Sequence, residues 1–156
     1  MDLKKAIENF LYVSAVKINE KLDKNLPVRL KSVVDDHITF GCALSLIILV
    51  PVPILDEVIV FILNIINIWT MYARINSCAR IRFSVGVFFK TLFSGLVSNL
   101  MGSILSYILV YIMVALLQVI PRIGDFIGAI LICFATATVI KSAAISYFVI
   151  MTKIFR

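Results

Sequence analysis

The sequence is poor in the residues on which catalytic and metal sites depend. Its 156 residues include one histidine and three cysteines, with no phosphate-binding loop, Gly-x-Ser-x-Gly motif or zinc-type cysteine pair. The odd set of cysteines, Cys42, Cys78 and Cys133, argues against a disulfide framework. His37 follows two aspartates, but one imidazole without fixed partners makes a weak metal or pH-sensing site. We therefore expect a non-enzymatic protein with no cofactor and no metal.

Charge is scarce as well. Only 15% of the residues are charged, 62% are hydrophobic, and the mean hydropathy is +1.06. A soluble domain of this length needs a more polar exterior than this composition supplies. The net charge of +6 is scattered beside apolar segments, where anionic lipid and cytoplasmic retention explain it better than nucleic acid does. The composition predicts a single-domain membrane protein that does not bind nucleic acid.

The longest uncharged segment covers residues 91–120, where there is no Asp, Glu, Lys, Arg or His. As a helix of 1.5 Å rise per residue it would extend about 45 Å, whereas the hydrocarbon core of a bilayer is about 30 Å thick. A domain this small cannot hide that much apolar surface from water. The segment is predicted to span a membrane.

Small residues follow one side of this span at every fourth position, with a second row beside the first (Ser94, Ser98, Gly102 and Ser106; Gly95, Asn99 and Ser103). In lipid, small residues let helix backbones approach closely, and hydroxyl or amide groups bond across the gap. We expect this strip to pack against another helix of the same chain. A self-association face, or a polar lining, is the alternative.

The last apolar segment, residues 126–152, is interrupted only by Lys141. Ala129, Cys133 and Ala137 lead to this lysine in steps of four, and we expect them to pack against the strip of the long span. The Lys141 ammonium either extends along its stem to the cytoplasmic interface or points into the bundle towards Asn99 or Ser103.

Residues 38–55 and 58–73 form two shorter uncharged segments. Pro51 and Pro53 disfavour helix between them, so the chain is expected to reverse there. We favour a transmembrane hairpin, with a re-entrant hairpin as the alternative because both arms are short. Asp56 is expected to cap the second arm. It would form an ion-selective mouth only if several copies of the chain brought these acids together.

Residues 2–24 read as an amphipathic helix that ends at Pro27. Three alternatives are open for this helix: docking on the rest of the protein, on the membrane surface or on a partner. The predicted division is a cytosolic tail of residues 1–36 and a membrane domain of residues 37–156. Within the membrane domain we expect a hairpin, a basic cytosolic segment and a second hairpin (38–73, 74–90 and 91–152).

Orientation follows from the distribution of charge. Residues 74–90 carry four basic side chains and no acidic one. The turn at Pro121, Gly124 and Asp125 is neutral overall, and Asp125 is suited to cap the last helix. By the positive-inside rule, both termini and the basic segment are cytoplasmic. The predicted fold is all-α, a polytopic bundle of about four membrane segments in the cell (inner) membrane, with an N-terminal amphipathic helix.

Three motifs, PVPILD at 51–56, IPRIGDFIGA at 120–129 and ATATVIKSAAISYF at 135–148, resemble the YcjF-like hydrophobic domain family. Members of that family are attached to GTPase domains or encoded beside them. The resemblance implies this architecture and a GTPase-type partner. The chain departs from the family pattern in having no GTPase domain, and in having Lys141 where a small residue is usual. Any nucleotide switching would therefore come from another chain.

These observations together favour a membrane scaffold or receptor for a cytosolic, GTPase-type partner. A small oligomeric pore or membrane-perturbing effector is the alternative, because the serine-rich span and Lys141 would also serve such a protein. An immunity protein that binds a toxin in the membrane is a third reading.

Overall fold

The protein is an all-α helical bundle. A computed structural model describes residues 17, 20–47, 57–119 and 125–155, with side chains except at 57, 106, 107, 109–119 and 125–129. Four long helices follow a short helical stretch at residues 20–25, and a π-helical turn, Ile150–Ile154, continues the last one. The helices are α1 (Val28–Ile47), α2 (Glu57–Cys78), α3 (Val85–Val119) and α4 (Asp125–Val149). No strand occurs in these residues.

α1 begins directly after Pro27, whose carbonyl accepts the Leu30 N–H at 2.8 Å. Its buried residues recur at steps of three and four (Leu30, Val33, Val34, His37, Gly41, Leu44). Asp35 and Asp36 lie on the opposite, exposed side. The predicted boundary between a tail ending at 36 and a membrane domain starting at 37 therefore falls inside one continuous helix. The buried residues recur with the same helical spacing before and after Asp35 and Asp36.

The end of α2 is a Schellman motif. The Ile81 N–H bonds the Asn76 carbonyl at 3.0 Å, and the Arg80 N–H bonds the Ser77 carbonyl at 3.0 Å. Arg80 lies in the left-handed region with φ 55°, a position usually filled by glycine. The chain thus turns sharply at residues 79–84, within the segment that was predicted to be a basic cytosolic connection.

Ser84 starts α3. Its hydroxyl accepts the Val87 N–H at 3.2 Å, which satisfies one of the amides left open at a helix N-terminus. α3 then continues for 35 residues, about 52 Å at 1.5 Å per residue. It includes almost all of the uncharged segment 91–120 and exceeds the thickness of a hydrocarbon core.

α4 occupies the centre of the bundle, packed against α3 on one side and α1 on the other, while α1 also packs along α2. α2 and α3 approach each other over a short stretch only. The buried core lies where α1, α2 and α4 meet, and its largest side chains are Tyr72, Tyr147 and Leu30.

Within the described residues, three helices are long and apolar enough to cross a membrane: Val58–Cys78, Val85–Leu105 and Ile130–Ile154. Their outer faces carry large exposed apolar side chains, including Phe61 and Leu100 at 65% and 62% exposure. Lipid, rather than water, suits such a surface. These helices indicate a membrane protein. The first predicted arm, 38–55, starts within α1 after its charged half, and its remainder lies outside the described residues.

Candidate functional site

A polar cluster joins α1 to α2. The Asn67 amide donates to the His37 carbonyl at 2.9 Å, and its Oδ1 lies 2.6 Å from His37 Nδ1. Arg74 Nη1 lies 3.4 Å from His37 Nε2, and Arg74 Nη2 bonds Asp36 Oδ2 at 2.8 Å. Because the Asn67 oxygen accepts and the guanidinium only donates, Nδ1 carries the proton and Nε2 accepts.

This geometry gives His37 a structural role. Both imidazole nitrogens are occupied and the side chain is buried, so the ring fixes α1 on α2. From the sequence alone, His37 was expected to have no fixed partners, whereas in the structure its two ring nitrogens contact Asn67 and Arg74. Among the described residues no group of three His, Cys, Asp or Glu side chains is placed to hold a metal ion.

A second cluster connects α2, α3 and α4 around two buried tyrosines. The rings of Tyr72 and Tyr147 stack with centroids 4.2 Å apart. The Tyr147 hydroxyl donates to Asn76 Oδ1 at 2.9 Å and lies 3.2 Å from Thr91 Oγ1. The Tyr72 hydroxyl donates to Asn99 Oδ1 at 2.6 Å. Asn99, expected as a partner for Lys141, is therefore bonded to Tyr72.

Lys141 has a partner that the sequence analysis did not consider. Its ammonium lies 2.8 Å from Asp23 Oδ1, with side-chain exposures of 10% and 36%. Ser103, the other expected partner, is exposed on α3. The structure thus adds an ion pair to the segment before Pro27, while extension of Lys141 to the cytoplasmic interface stays a prediction. The sequence does not single out Asp23 as a partner, because acidic and basic residues are nearly balanced in its stretch.

Ser94, Ser98 and Gly102 of the small-residue strip are buried on α3. Gly102 packs against α4 and Ser94 against its π-helical end, further along the chain than the predicted partners, whereas Gly95 of the second row packs against Trp69 of α2. A Cβ built on Gly102 would lie 3.3 Å from the Val139 carbonyl oxygen and 3.6 Å from Ala143 Cβ. Ser94 donates to the sulfur of Met151 at 3.3 Å.

Cys133, the predicted partner of the strip, instead accepts at its carbonyl from the Cys42 thiol of α1 at 3.4 Å. The reason is the register of an antiparallel hairpin. Ser94 and Met151, and likewise Gly102 and Ala143, are equally far in sequence from residues 121–124. The spacing of small residues alone did not contain this information.

Several of the remaining predicted residues lie outside the part of the chain that the structure describes. Five predicted turn and mouth residues (Pro51, Pro53, Asp56, Pro121 and Gly124) lie outside the described residues. The side chains of Ser106, Asp125 and Ala129 are also outside the described set, although α4 begins at Asp125. Ser98 is buried on α3, and its hydroxyl has no hydrogen-bond partner among the described residues.

Two clefts are present at the end of the bundle where α1 and α3 begin and α2 and α4 finish. The end cleft has a volume of about 430 Å³ and is lined by residues of α1, the α2–α3 turn and α4 (Pro27, Arg29, Leu30, Cys78, Ala79, Ile81, Phe148, Met151, Thr152). The lateral cleft has a volume of about 650 Å³ and lies between α2 and α3. Ile81 borders both.

Exposed basic side chains surround this end (Lys24, Arg29, Lys31, Arg80, Arg82 and Lys153). They come from the N-terminal part, the 74–90 segment and the C-terminal part, which charge alone had placed on one side of the membrane. The end cleft is half polar, and Arg29 is among its lining residues.

No protein-family model matches the sequence, and comparison with curated proteins and with solved structures gives no significant match.

Proposed function

We propose that the protein is a multipass protein of the cell (inner) membrane that binds a cytosolic protein at the end cleft. The convergence of three basic segments around one cleft, at one end of an apolar bundle, carries this proposal. Both termini and the 74–90 segment face the cytoplasm in this arrangement, as the positive-inside rule requires.

The polar clusters support a scaffold rather than a catalyst. The buried imidazole and tyrosine hydroxyls bond to neighbouring helices, so they hold the helix ends in place around the cleft. A rigid rim with exposed Arg29 and Lys31 suits recognition of an acidic surface, where charge governs encounter and register. The resemblance to the YcjF-like family makes a GTPase-type protein the first partner to test.

Site-specific photo-crosslinking in intact cells tests the proposal. A photoreactive residue replaces Lys31, which is exposed at the cleft end, or Ala43, which is exposed about 18 Å further along α1 at 1.5 Å per residue. We expect a discrete adduct with a soluble protein from position 31 and none from position 43. The charge reversal Arg29→Glu should abolish the adduct without lowering the amount of protein in the membrane.

The nucleotide requirement is tested in inside-out vesicles that retain the partner. With a GTPase-type partner, a non-hydrolysable GTP analogue should change the adduct yield several-fold relative to GDP, because such proteins present different surfaces in the two states. The same adduct yield with the GTP analogue and with GDP would contradict a GTPase-type partner. Equal adduct yields from positions 31 and 43 would contradict the scaffold proposal. Ion flux through the purified protein in liposomes would favour a pore instead.

A further inference from the structure

The lateral cleft is built differently from the end cleft. It is predominantly apolar and opens along the side of the bundle where α2 and α3 diverge. The polar groups of Asn76 and Thr91 border it, but they bond to each other at 3.0 Å and to Tyr147. A volume of about 650 Å³ is in the range of small-molecule sites, roughly 300–1,000 Å³.

Trp69 lines this cleft. Its ring lies over Gly95 of α3, where an added Cβ would come within 2.7 Å of the indole, and it meets Tyr72 edge-on. The ring is thereby fixed between α2 and α3. Because Trp69 is the only tryptophan of the chain, its fluorescence reports on this cleft alone.

Two arginines neighbour the residues that line the other end of the cleft. Ile81 and Phe83 line it, and the exposed Arg80 and Arg82 alternate with them along the turn. Two further basic residues of this segment are engaged: Arg74 pairs with Asp36, and Lys90 donates to the Phe155 carbonyl. No acidic side chain of the described residues lies within ion-pair distance of the other two, Arg80 and Arg82.

Arg80 is also an unfavourable choice for the turn itself. The left-handed backbone at this residue is less favourable for an L side chain than for glycine. The Schellman motif would therefore be more stable with glycine. The arginine contributes charge at the cleft instead of stability of the turn.

We propose that the lateral cleft binds an anionic phospholipid, with an acyl chain along the Trp69 wall and the phosphate at Arg80 and Arg82. The apolar lining suits a hydrocarbon chain, and the opening towards the side gives access from the bilayer. The exposed Arg80 and Arg82, which neighbour the lining residues Ile81 and Phe83 in the chain, complement a phosphate. This site adjoins the end cleft, since Ile81 borders both, but it does not depend on the proposed protein partner.

Quenching of Trp69 by brominated lipids measures the binding. The full-length protein is reconstituted in phosphatidylcholine vesicles that contain either brominated phosphatidylglycerol or brominated phosphatidylcholine at the same mole fraction. Each basic residue near a membrane adds roughly a fivefold preference for an anionic lipid. We expect phosphatidylglycerol to quench at markedly lower mole fraction than phosphatidylcholine.

Two variants separate the charge from the cleft. Arg80→Gly with Arg82→Gln should remove the preference for phosphatidylglycerol while raising the melting temperature, because glycine relieves the left-handed position. Lys31→Gln with Lys153→Gln removes the same charge from exposed positions elsewhere at this end, and should leave the preference intact. Ala73→Leu fills the cleft and should weaken quenching by either lipid, whereas Ala43→Leu on α1 should not.

Equal quenching of the wild-type protein by both brominated lipids would overturn the proposal. So would an unchanged preference in the Arg80→Gly, Arg82→Gln variant. Loss of preference in the Lys31→Gln, Lys153→Gln control to the same extent would mean general attraction of a basic surface, and would also reject a defined site.

Discussion

The ammonium of Lys141, in the middle of α4, lies 2.8 Å from the carboxylate of Asp23. This ion pair ties the segment before Pro27 to the central helix of the bundle. It also accounts for a charged residue within an otherwise apolar span, since the lysine is neutralised by the protein's own N-terminal part. The pair is more buried on the lysine side than on the aspartate side.

The first prediction concerns this pair. Asp23→Asn should lower the free energy of unfolding by about 1–3 kcal/mol, between the values for exposed and buried ion pairs, because it removes a carboxylate that lies 2.8 Å from a nearly buried ammonium. The measurement is thermal unfolding in detergent micelles. Asp35→Asn, at an exposed position of α1, is the control and should be close to neutral.

A double-mutant cycle completes this test. Lys141→Met combined with Asp23→Asn should cost less than the sum of the two single changes, with a coupling of roughly 0.5–3 kcal/mol as for residues in contact. Strict additivity would show that the two side chains do not interact.

The second prediction concerns the contact of α3 with α4. Gly102→Leu should destabilise the protein by about 1–3 kcal/mol, the usual cost of overpacking, because its Cβ would already meet the Val139 carbonyl at 3.3 Å. Leu100→Ala, at an exposed position of the same helix, should have little effect on unfolding. Equal tolerance of the two changes would contradict the packing of this face.

The third prediction compares two asparagines of α2. Asn67→Leu leaves the buried His37 Nδ1–H without its acceptor, so it should cost about 1–3 kcal/mol. Asn64 bonds only to the Val60 carbonyl of its own helix, and Asn64→Leu should be neutral or stabilising in a lipid-facing position. The melting temperatures of the two variants are compared. A lower melting temperature for Asn64→Leu than for Asn67→Leu would contradict a stabilising role of the α1–α2 polar cluster.

Much of the architecture followed from the sequence. The uncharged stretch 91–120 predicted the long helix α3, and the spacing of Ser94, Ser98 and Gly102 identified a face that is buried. Pro27 marked a helix end correctly, since the helical residues 20–25 stop before it. Periodicity and the absence of charge are local properties, so they can be read from one stretch at a time.

What the sequence did not provide were relationships between distant stretches. Asp23 and Lys141, or His37 and Asn67, are partners only because of how the helices are arranged. Arg80 ends α2 at a position where glycine is the usual indicator, so the turn had no recognisable marker. The partner face of Gly102 required counting from the 121–124 turn, which the step of four between small residues does not reveal.

The orientation of the basic end is the claim on which the proposed function depends, and Cys78 in the end cleft reports on it. Cys42→Ala and Cys133→Ala leave it as the single thiol. A membrane-impermeant maleimide should fail to label this variant in intact cells and should label it in inside-out vesicles, with denatured protein as the control for reactivity. Labelling of Cys78 in intact cells would place the basic end outside and contradict the account.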